Sequence, residues 1–209
     1  MRNTQYGFHF DASACSGCKA CQAACKDKDN LPSGLLWRRV YEIAGGGWER
    51  RRDAWVSTVY AYYLSLACNH CGSPICAEVC PSAAYSRRAD GVILLDTAKC
   101  LGCRLCSWAC PYGAPQYDAA AGRMTKCNFC ADLLDSGMPP SCVAACPMRA
   151  LDFGILDDLE QRYGAVRAVH PLADAKLTDP GVVVTPHRDC DQAGRDRTPV
   201  ANREEVSRS

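Results

Sequence analysis

The chain has 209 residues, a formal charge of +1 and 48% hydrophobic residues. That length allows one large domain or two small ones, and the ordinary apolar content with balanced charge excludes a disordered chain. No dense basic patch points to nucleic acid as a partner, and the anomaly is cysteine, 17 residues in a chain too long for a disulfide miniprotein.

The N-terminal stretch MRNTQYGFHFDASAC has one early Arg and no apolar h-region, so no signal peptide is expected. It leads into a first cysteine run, Cys15-x2-Cys18-x2-Cys21-x3-Cys25, followed by Lys26. Residues 35–66 alternate aromatic, β-branched and polar side chains, which predicts strands of an antiparallel layer turning at Gly45, Gly46 and Gly47. The glycine triplet lacks the Lys-Ser/Thr and the βαβ context of a phosphate loop. The apolar stretch at 55–68 is interrupted by Ser, Thr and Tyr and falls short of the roughly 18 residues of a membrane span.

A second run follows, Cys68-x2-Cys71-x4-Cys76-x3-Cys80 with Pro81. RRADG then predicts a hairpin turn and VILLD its second strand. The third run is Cys100-x2-Cys103-x2-Cys106-x3-Cys110 with Pro111, and the fourth is Cys127-x2-Cys130-x11-Cys142-x3-Cys146 with Pro147. Residues 155–164 predict a short helix ending at Gly164, and GVVVTP predicts a strand at 181–186. From 187 the sequence is polar, which predicts an extended tail that lies on a partner or is mobile. Cys190 stands in that tail without a Cys neighbour and reads as a spectator thiol.

Three chemistries compete for the sixteen clustered thiols. Disulfides need an oxidising compartment and suitable Cα separations, and thiols at i, i+3 and i+6 are poor partners for one another. Zinc takes two Cys-x2-Cys pairs separated by a loop, which runs of three close cysteines fit poorly. The spacing C-x2-C-x2-C-x3-C-P is the bacterial ferredoxin run, in which the fourth Cys ligates the other cluster. The third run matches it throughout. The first has Lys26 in place of Pro, and the second and fourth carry a lengthened internal loop. Thiols at i, i+3 and i+6 lie on a loop that can curl round a cube, with Gly17 and Gly102 allowing close backbone approach. A Cys four residues on begins a helical turn and points toward a neighbouring cube. A proline after it ends that turn.

Four such runs predict four [4Fe–4S] clusters in two ferredoxin-like pairs. The short connector between Cys80 and Cys100 suits the second and third runs as one unit, leaving the first and fourth as the other. The expected fold is α+β. An outer ferredoxin-like unit (1–34 and 120–165) encloses an antiparallel β insertion (35–66) and an inner unit (67–119), and a C-terminal extension follows (166–209). Four clusters would take the net charge from +1 to about −7. Lys19, Lys26, Lys99, Arg104 and Lys126 near the runs either offset that charge or are simply solvated. His70, inside CNHC, is expected beside the site or facing solvent, because Cys already fills every ligand place there. No nucleophile–base pair and no open metal position is visible, so no catalytic residue and no direct small-molecule substrate is expected.

Beyond the cysteines, QYGFHFDASACSGCKACQAACKD, RRVYEIAGGGW, YAYYLSLACNHC, CRLCSWACPYGAPQYD, MTKCNFC and CPMRALDFG resemble the four-cluster iron–sulfur subunits (B subunits) of anaerobic dimethyl sulfoxide reductase. The likeness runs to about residue 186 and fades around Cys190. It implies four ligand sets: Cys15, Cys18, Cys21 and Cys146; Cys127, Cys130, Cys142 and Cys25; Cys68, Cys71, Cys76 and Cys110; Cys100, Cys103, Cys106 and Cys80. It also implies an electron-transfer subunit, not an enzyme by itself. Such a subunit passes electrons from a quinol-oxidising membrane anchor to a molybdopterin catalytic subunit that reduces S- or N-oxides. Its implied place is peripheral, on the periplasmic face of the inner membrane, exported with the catalytic partner. Related subunits serve thiosulfate, polysulfide, tetrathionate, selenate and formate enzymes. A free polyferredoxin and a zinc-held scaffold are the rival classes. The aromatic layer at 35–66 looks built to bury against partners, unlike a diffusible polyferredoxin.

Overall fold

YGFHFD places Tyr6, Phe8 and Phe10 at alternate positions and forms β1 (Tyr6–Asp11), the centre of a three-stranded sheet in the computed structural model, which describes residues 4–206. The first Cys run follows with α1 (Ala20–Lys28). Next come β2 (Arg39–Gly45), β3 (Trp48–Arg51), β4 (Ala54–Ser57) and β5 (Tyr60–Leu66). The second and third runs carry α2 (Ile75–Glu78), β6 (Tyr85–Arg87), β7 (Ile93–Leu95), α3 (Leu105–Ala109), β8 (Gln116–Asp118) and β9 (Arg123–Thr125). The fourth run carries α4 (Ala131–Asp135) and α5 (Ser141–Ala144), followed by β10 (Leu151–Ile155) and α6 (Leu156–Tyr163). No helix among the described residues is long and apolar enough to cross a membrane.

β1 pairs antiparallel with β10, Phe8 opposite Phe153, and parallel with β11 (Val182–Thr185), Phe8 beside Val182. Its Phe8 and Phe10 enter the main core, where Phe8 stacks on Phe129 at 4.0 Å between ring centroids. On the other face Leu156 and Leu159 of α6 cover Val183. The helix ends at Gly164, φ +89°, as the sequence predicts. The RRADG hairpin also forms, with Tyr85 opposite Leu95.

The layer at 35–66 departs from expectation in one respect. β2 and β5 pair from Arg39↔Leu66 to Gly45↔Tyr60, and β3 and β4 pair from Trp48↔Ser57 to Arg51↔Ala54. The backbone therefore reverses at Arg52 and Asp53, with Arg52 at φ +55°, and the glycine triplet is a kink between two ladder segments. Gly46 has φ +79°, and a Cβ there would stand 1.9 Å from the Thr58 carbonyl oxygen, so the kink excludes a side chain.

The segment after 187 is not an extended tail. It forms α7 (Cys190–Arg195) and α8 (Arg203–Val206), and Val200 bridges to Ile43. The reason is the free edge of β2. The Asn202 side-chain amide donates to Val40 O at 2.8 Å and accepts from Glu42 N–H at 2.8 Å, and Ala201 N–H donates to Glu42 O at 2.8 Å. A strand edge left open would carry these groups unpaired. Tyr60 Oη and Thr198 Oγ1 at 2.6 Å, and Lys19 with Glu205 at 2.5 Å, fasten the same segment. Cys190 is buried in it.

Candidate metal centres

The four runs share a backbone device. The second residue after each first Cys has positive φ: Gly17 (71°), His70 (42°), Gly102 (69°) and Phe129 (62°). Gly102 N–H and Phe129 N–H turn back onto Cys100 Sγ and Cys127 Sγ at 3.4 Å. Glycine adopts this conformation freely, whereas His70 and Phe129 do so at a cost of about 1–2 kcal/mol each. Both are fully buried. Phe129 stacks on Phe8, and the His70 ring takes the Ile93 N–H on Nδ1 at 3.0 Å. Lys19, Arg104 and Cys130 then reverse the backbone again at φ 62°, 64° and 49° to open α1, α3 and α4.

The fourth Cys of each run leaves in one of two ways. After Cys80, Cys110 and Cys146 a proline stops the helix. A turn follows in which Ala83, Gly113 and Arg149 have positive φ and donate N–H to the cysteine carbonyl at 3.2, 3.1 and 3.3 Å. Ala84 and Ala114 N–H then bond Cys80 Sγ at 3.4 Å and Cys110 Sγ at 3.5 Å. The first run has Lys26 there, which keeps its N–H, and α1 runs on through Lys28. Lys26 Nζ reaches Pro32 O at 2.6 Å and ties the following loop.

The thiols gather across runs. Cys15, Cys18 and Cys21 line one pocket with Cys146, walled by Phe10 and Val40. Cys25 lies in the electrostatic reach of Cys142 and Cys130, and Cys127 in that of Cys25 and Cys142. Cys71, Cys76 and Cys110 share Cys68 as a neighbour, and Cys106 has Cys100 and Cys103. Helix packing runs the same way, α1 on α5 and α2 on α3. Cys80 ends the turn after α2; burial works against its thiolate, but hydrogen bonds from Ser82, Ala84 and Ala83 bring its pKa below the ordinary value. Cys127 also lies within reach of Cys68, so the two halves of the cysteine set are adjacent.

None of the seventeen cysteines is paired in a disulfide. Burial pushes Cys15 up to about 11, and Cys25, Cys71 and Cys76 up to about 12, each worsened by neighbouring thiols. Such dry all-sulfur sets become thiolates only around a strongly positive, thiophilic centre. Among the described residues no three His, Cys, Asp or Glu side chains converge as around a single metal ion. Cys15, Cys18, Cys21 and Cys146 line one pocket together, and an all-thiolate donor set of this kind fits an iron–sulfur cube.

The cations near the runs divide between the two alternatives, Lys126 being buried and Lys99 exposed. Lys126 donates to Ile93 O at 2.5 Å and Cys127 O at 2.8 Å. Lys19 pairs with Glu205, Lys99 with Asp96, and Arg104 lies over the Tyr117 ring at 3.7 Å. The deepest cation is Arg38, which the cysteine spacing does not mark because it lies outside every run. His70 is fully buried, beside Lys126, and burial holds its pKa well below the usual value, so it is neutral and not solvent-facing.

Residues 59–156 match the family described as "4Fe-4S dicluster domain". The protein is 48% identical over 203 residues to the B subunit of the anaerobic dimethyl sulfoxide reductase of Escherichia coli (strain K12), covering 97% of this sequence and 99% of that one. The corresponding B subunit of Haemophilus influenzae is 47% identical over 88% of this sequence and 90% of its own. A thiosulfate reductase electron transfer subunit of Salmonella typhi is 35% identical over 82% of this sequence and 88% of its own. By identity and coverage together, the protein belongs to the family of iron–sulfur B subunits of anaerobic dimethyl sulfoxide reductase.

Proposed function

We propose that this chain is the electron-transfer subunit of a reductase complex and holds four [4Fe–4S] clusters in two crossed pairs. The first set is Cys15, Cys18, Cys21 and Cys146; the second is Cys127, Cys130, Cys142 and Cys25. The third is Cys68, Cys71, Cys76 and Cys110; the fourth is Cys100, Cys103, Cys106 and Cys80. The observation that carries this is the pocket in which Cys146 of the last run joins three thiols of the first. The clusters supply one-electron carriers; the polypeptide supplies thiolates, N–H donors to sulfur and the spacing between sets. The first and fourth runs form the outer ferredoxin-like unit and the second and third the inner one.

Two sets reach the surface. Cys18 is exposed near Met148, and Cys103 is exposed beside Leu101 and Trp108, which are 71% and 77% exposed. Exposed apolar edges of this kind suit contact with other subunits. In this reading electrons enter from a quinol-oxidising membrane anchor and leave to a molybdopterin catalytic subunit that reduces dimethyl sulfoxide or related S- or N-oxides. The subunit itself holds no substrate. Its place is peripheral, on the periplasmic face of the inner membrane, exported with the catalytic partner.

Iron and acid-labile sulfide analysis of the anaerobically purified complex tests the reading. It expects about 16 of each for this subunit, four per cluster, after subtracting any cluster of the catalytic subunit. Stoichiometric zinc with little iron would overturn it.

A further inference from the structure

Arg38 is 1% exposed, and its guanidinium stands over the Phe8 ring, 4.6 Å from the centroid. Nη1 donates to Ser65 O at 3.1 Å and to Ser65 Oγ at 3.2 Å. Nε and Nη2 have no acceptor on the protein. An always-charged group buried with free donors is strongly unfavourable unless something negative lies beside it.

Among the described residues no carboxylate forms an ion pair with Arg38; the groups whose field it feels are thiols. Burial alone would lower its pKa, but Cys142, Cys21, Cys127 and Cys25 outweigh that and raise it. Three of these belong to the second set and one, Cys21, to the first. Ser65 links Arg38 to the first set. Its Oγ accepts from Arg38, so its own proton is free for Cys21 Sγ, 3.3 Å away. A ligating thiolate can only accept, which fixes the direction of that bond. Of the other buried cations, Lys126 donates to the Ile93 and Cys127 carbonyls, and Arg39 donates through Nη1 and Nη2 to those of Val206, Tyr112 and Gly113.

We propose that Arg38 sets the reduction potentials of the first and second clusters, acting on both through its charge and on the first also through Ser65. The proposal rests on the ligand sets given above. Reduction adds one electron and makes each site more negative by one charge; Arg38 stays protonated throughout, so no proton moves. A fixed cation stabilises the more negative state and raises both potentials. Arg38, just before β2, also holds Ser65 of β5, so a potential, rather than stability, is the decisive readout.

Redox titration followed by electron paramagnetic resonance on the purified complex tests this with Arg38→Gln, Arg38→Lys and Ser65→Ala. Arg38→Gln is expected to lower the reduced-to-oxidised ratio of the first and second clusters at least tenfold at fixed potential, 59 mV for one electron. The third and fourth clusters should not move. Arg38→Lys keeps the charge and should recover most of the shift. Ser65→Ala should lower the first cluster alone. All four signals present in Arg38→Gln with unmoved midpoints would overturn the proposal while leaving the ligand sets intact. If Arg38→Gln loses its clusters, Ser65→Ala decides: a lowered first midpoint supports the proposal and an unmoved one overturns it. Fewer than four cluster signals in the unmutated complex would instead break the ligand assignment.

Discussion

Cys15 and Cys146 line one pocket, although they belong to the first and last cysteine runs. Cys25, from the same helix as Cys21, lies instead with Cys142 and Cys130. Four residues along a helix carry a side chain about 6 Å along the axis, far enough to reach a different group of thiols. Cys25→Ala should therefore remove the resonance signal that Cys130→Ala removes and spare the one lost in Cys18→Ala. Cys146→Ala should behave like Cys18→Ala. If Cys25→Ala and Cys18→Ala delete the same signal, each run holds its own cube.

Cys103, which we assign to the fourth set, is exposed. Serine would offer a corner iron only a weaker oxygen ligand in place of thiolate, and that iron would be readily lost. Cys103→Ser should convert the fourth cluster to a three-iron form and slow electron flow from quinol. The characteristic three-iron resonance in the oxidised variant, absent from the unmutated complex, is the expected reading.

Gly102 and Gly122 separate backbone strain from steric contact. Both have positive φ, 69° and 66°, but a Cβ on Gly102 would stand 2.4 Å from Gly122 O, whereas one on Gly122 meets nothing within 4 Å. Gly122→Ala should cost about 1–2 kcal/mol from conformation alone and keep all clusters. Gly102→Ala adds a backbone clash beside the N–H that bonds Cys100 Sγ. It should lose the fourth cluster selectively; equal behaviour of the two variants would disprove the contact argument.

The thiols predict an alkaline limit for the cluster-free protein. Burial raises Cys15 from 9.0 to about 11, and Cys25, Cys71 and Cys76 from 9.0 to about 12. Above the unfolded value the unfolded state releases protons that the folded state retains, so unfolding is favoured. This contribution is complete below pH 9 and is lost as pH rises through 11 to 12. Urea midpoints of the cluster-free protein should be level from about pH 7 to about 8.5 and fall above about 9, and a midpoint rising with pH would contradict the burial.

Four cysteine runs, their glycines and the prolines after three of them are legible in the sequence because spacing and φ preference are local. The helix stopping at Gly164 and the RRADG hairpin follow from the same local chemistry. The Lys26 departure is visible too, and its effect, an α1 that outruns its last cysteine, needs only the presence of one N–H. What local chemistry leaves undecided is where free groups find partners. The glycine triplet has the composition of a reversal, but cross-strand pairing with 54–66 moves the reversal to Arg52 and Asp53. The polar segment after 187 has no evident attachment until the edge of β2 offers Val40 O and Glu42 N–H to Asn202. Arg38, outside every run, becomes the deepest cation only when β2 and β5 close over the thiols. Local spacing shows which atoms can bind iron; which pocket each thiol enters, and which charge lies beside it, depend on contacts between residues far apart in the sequence.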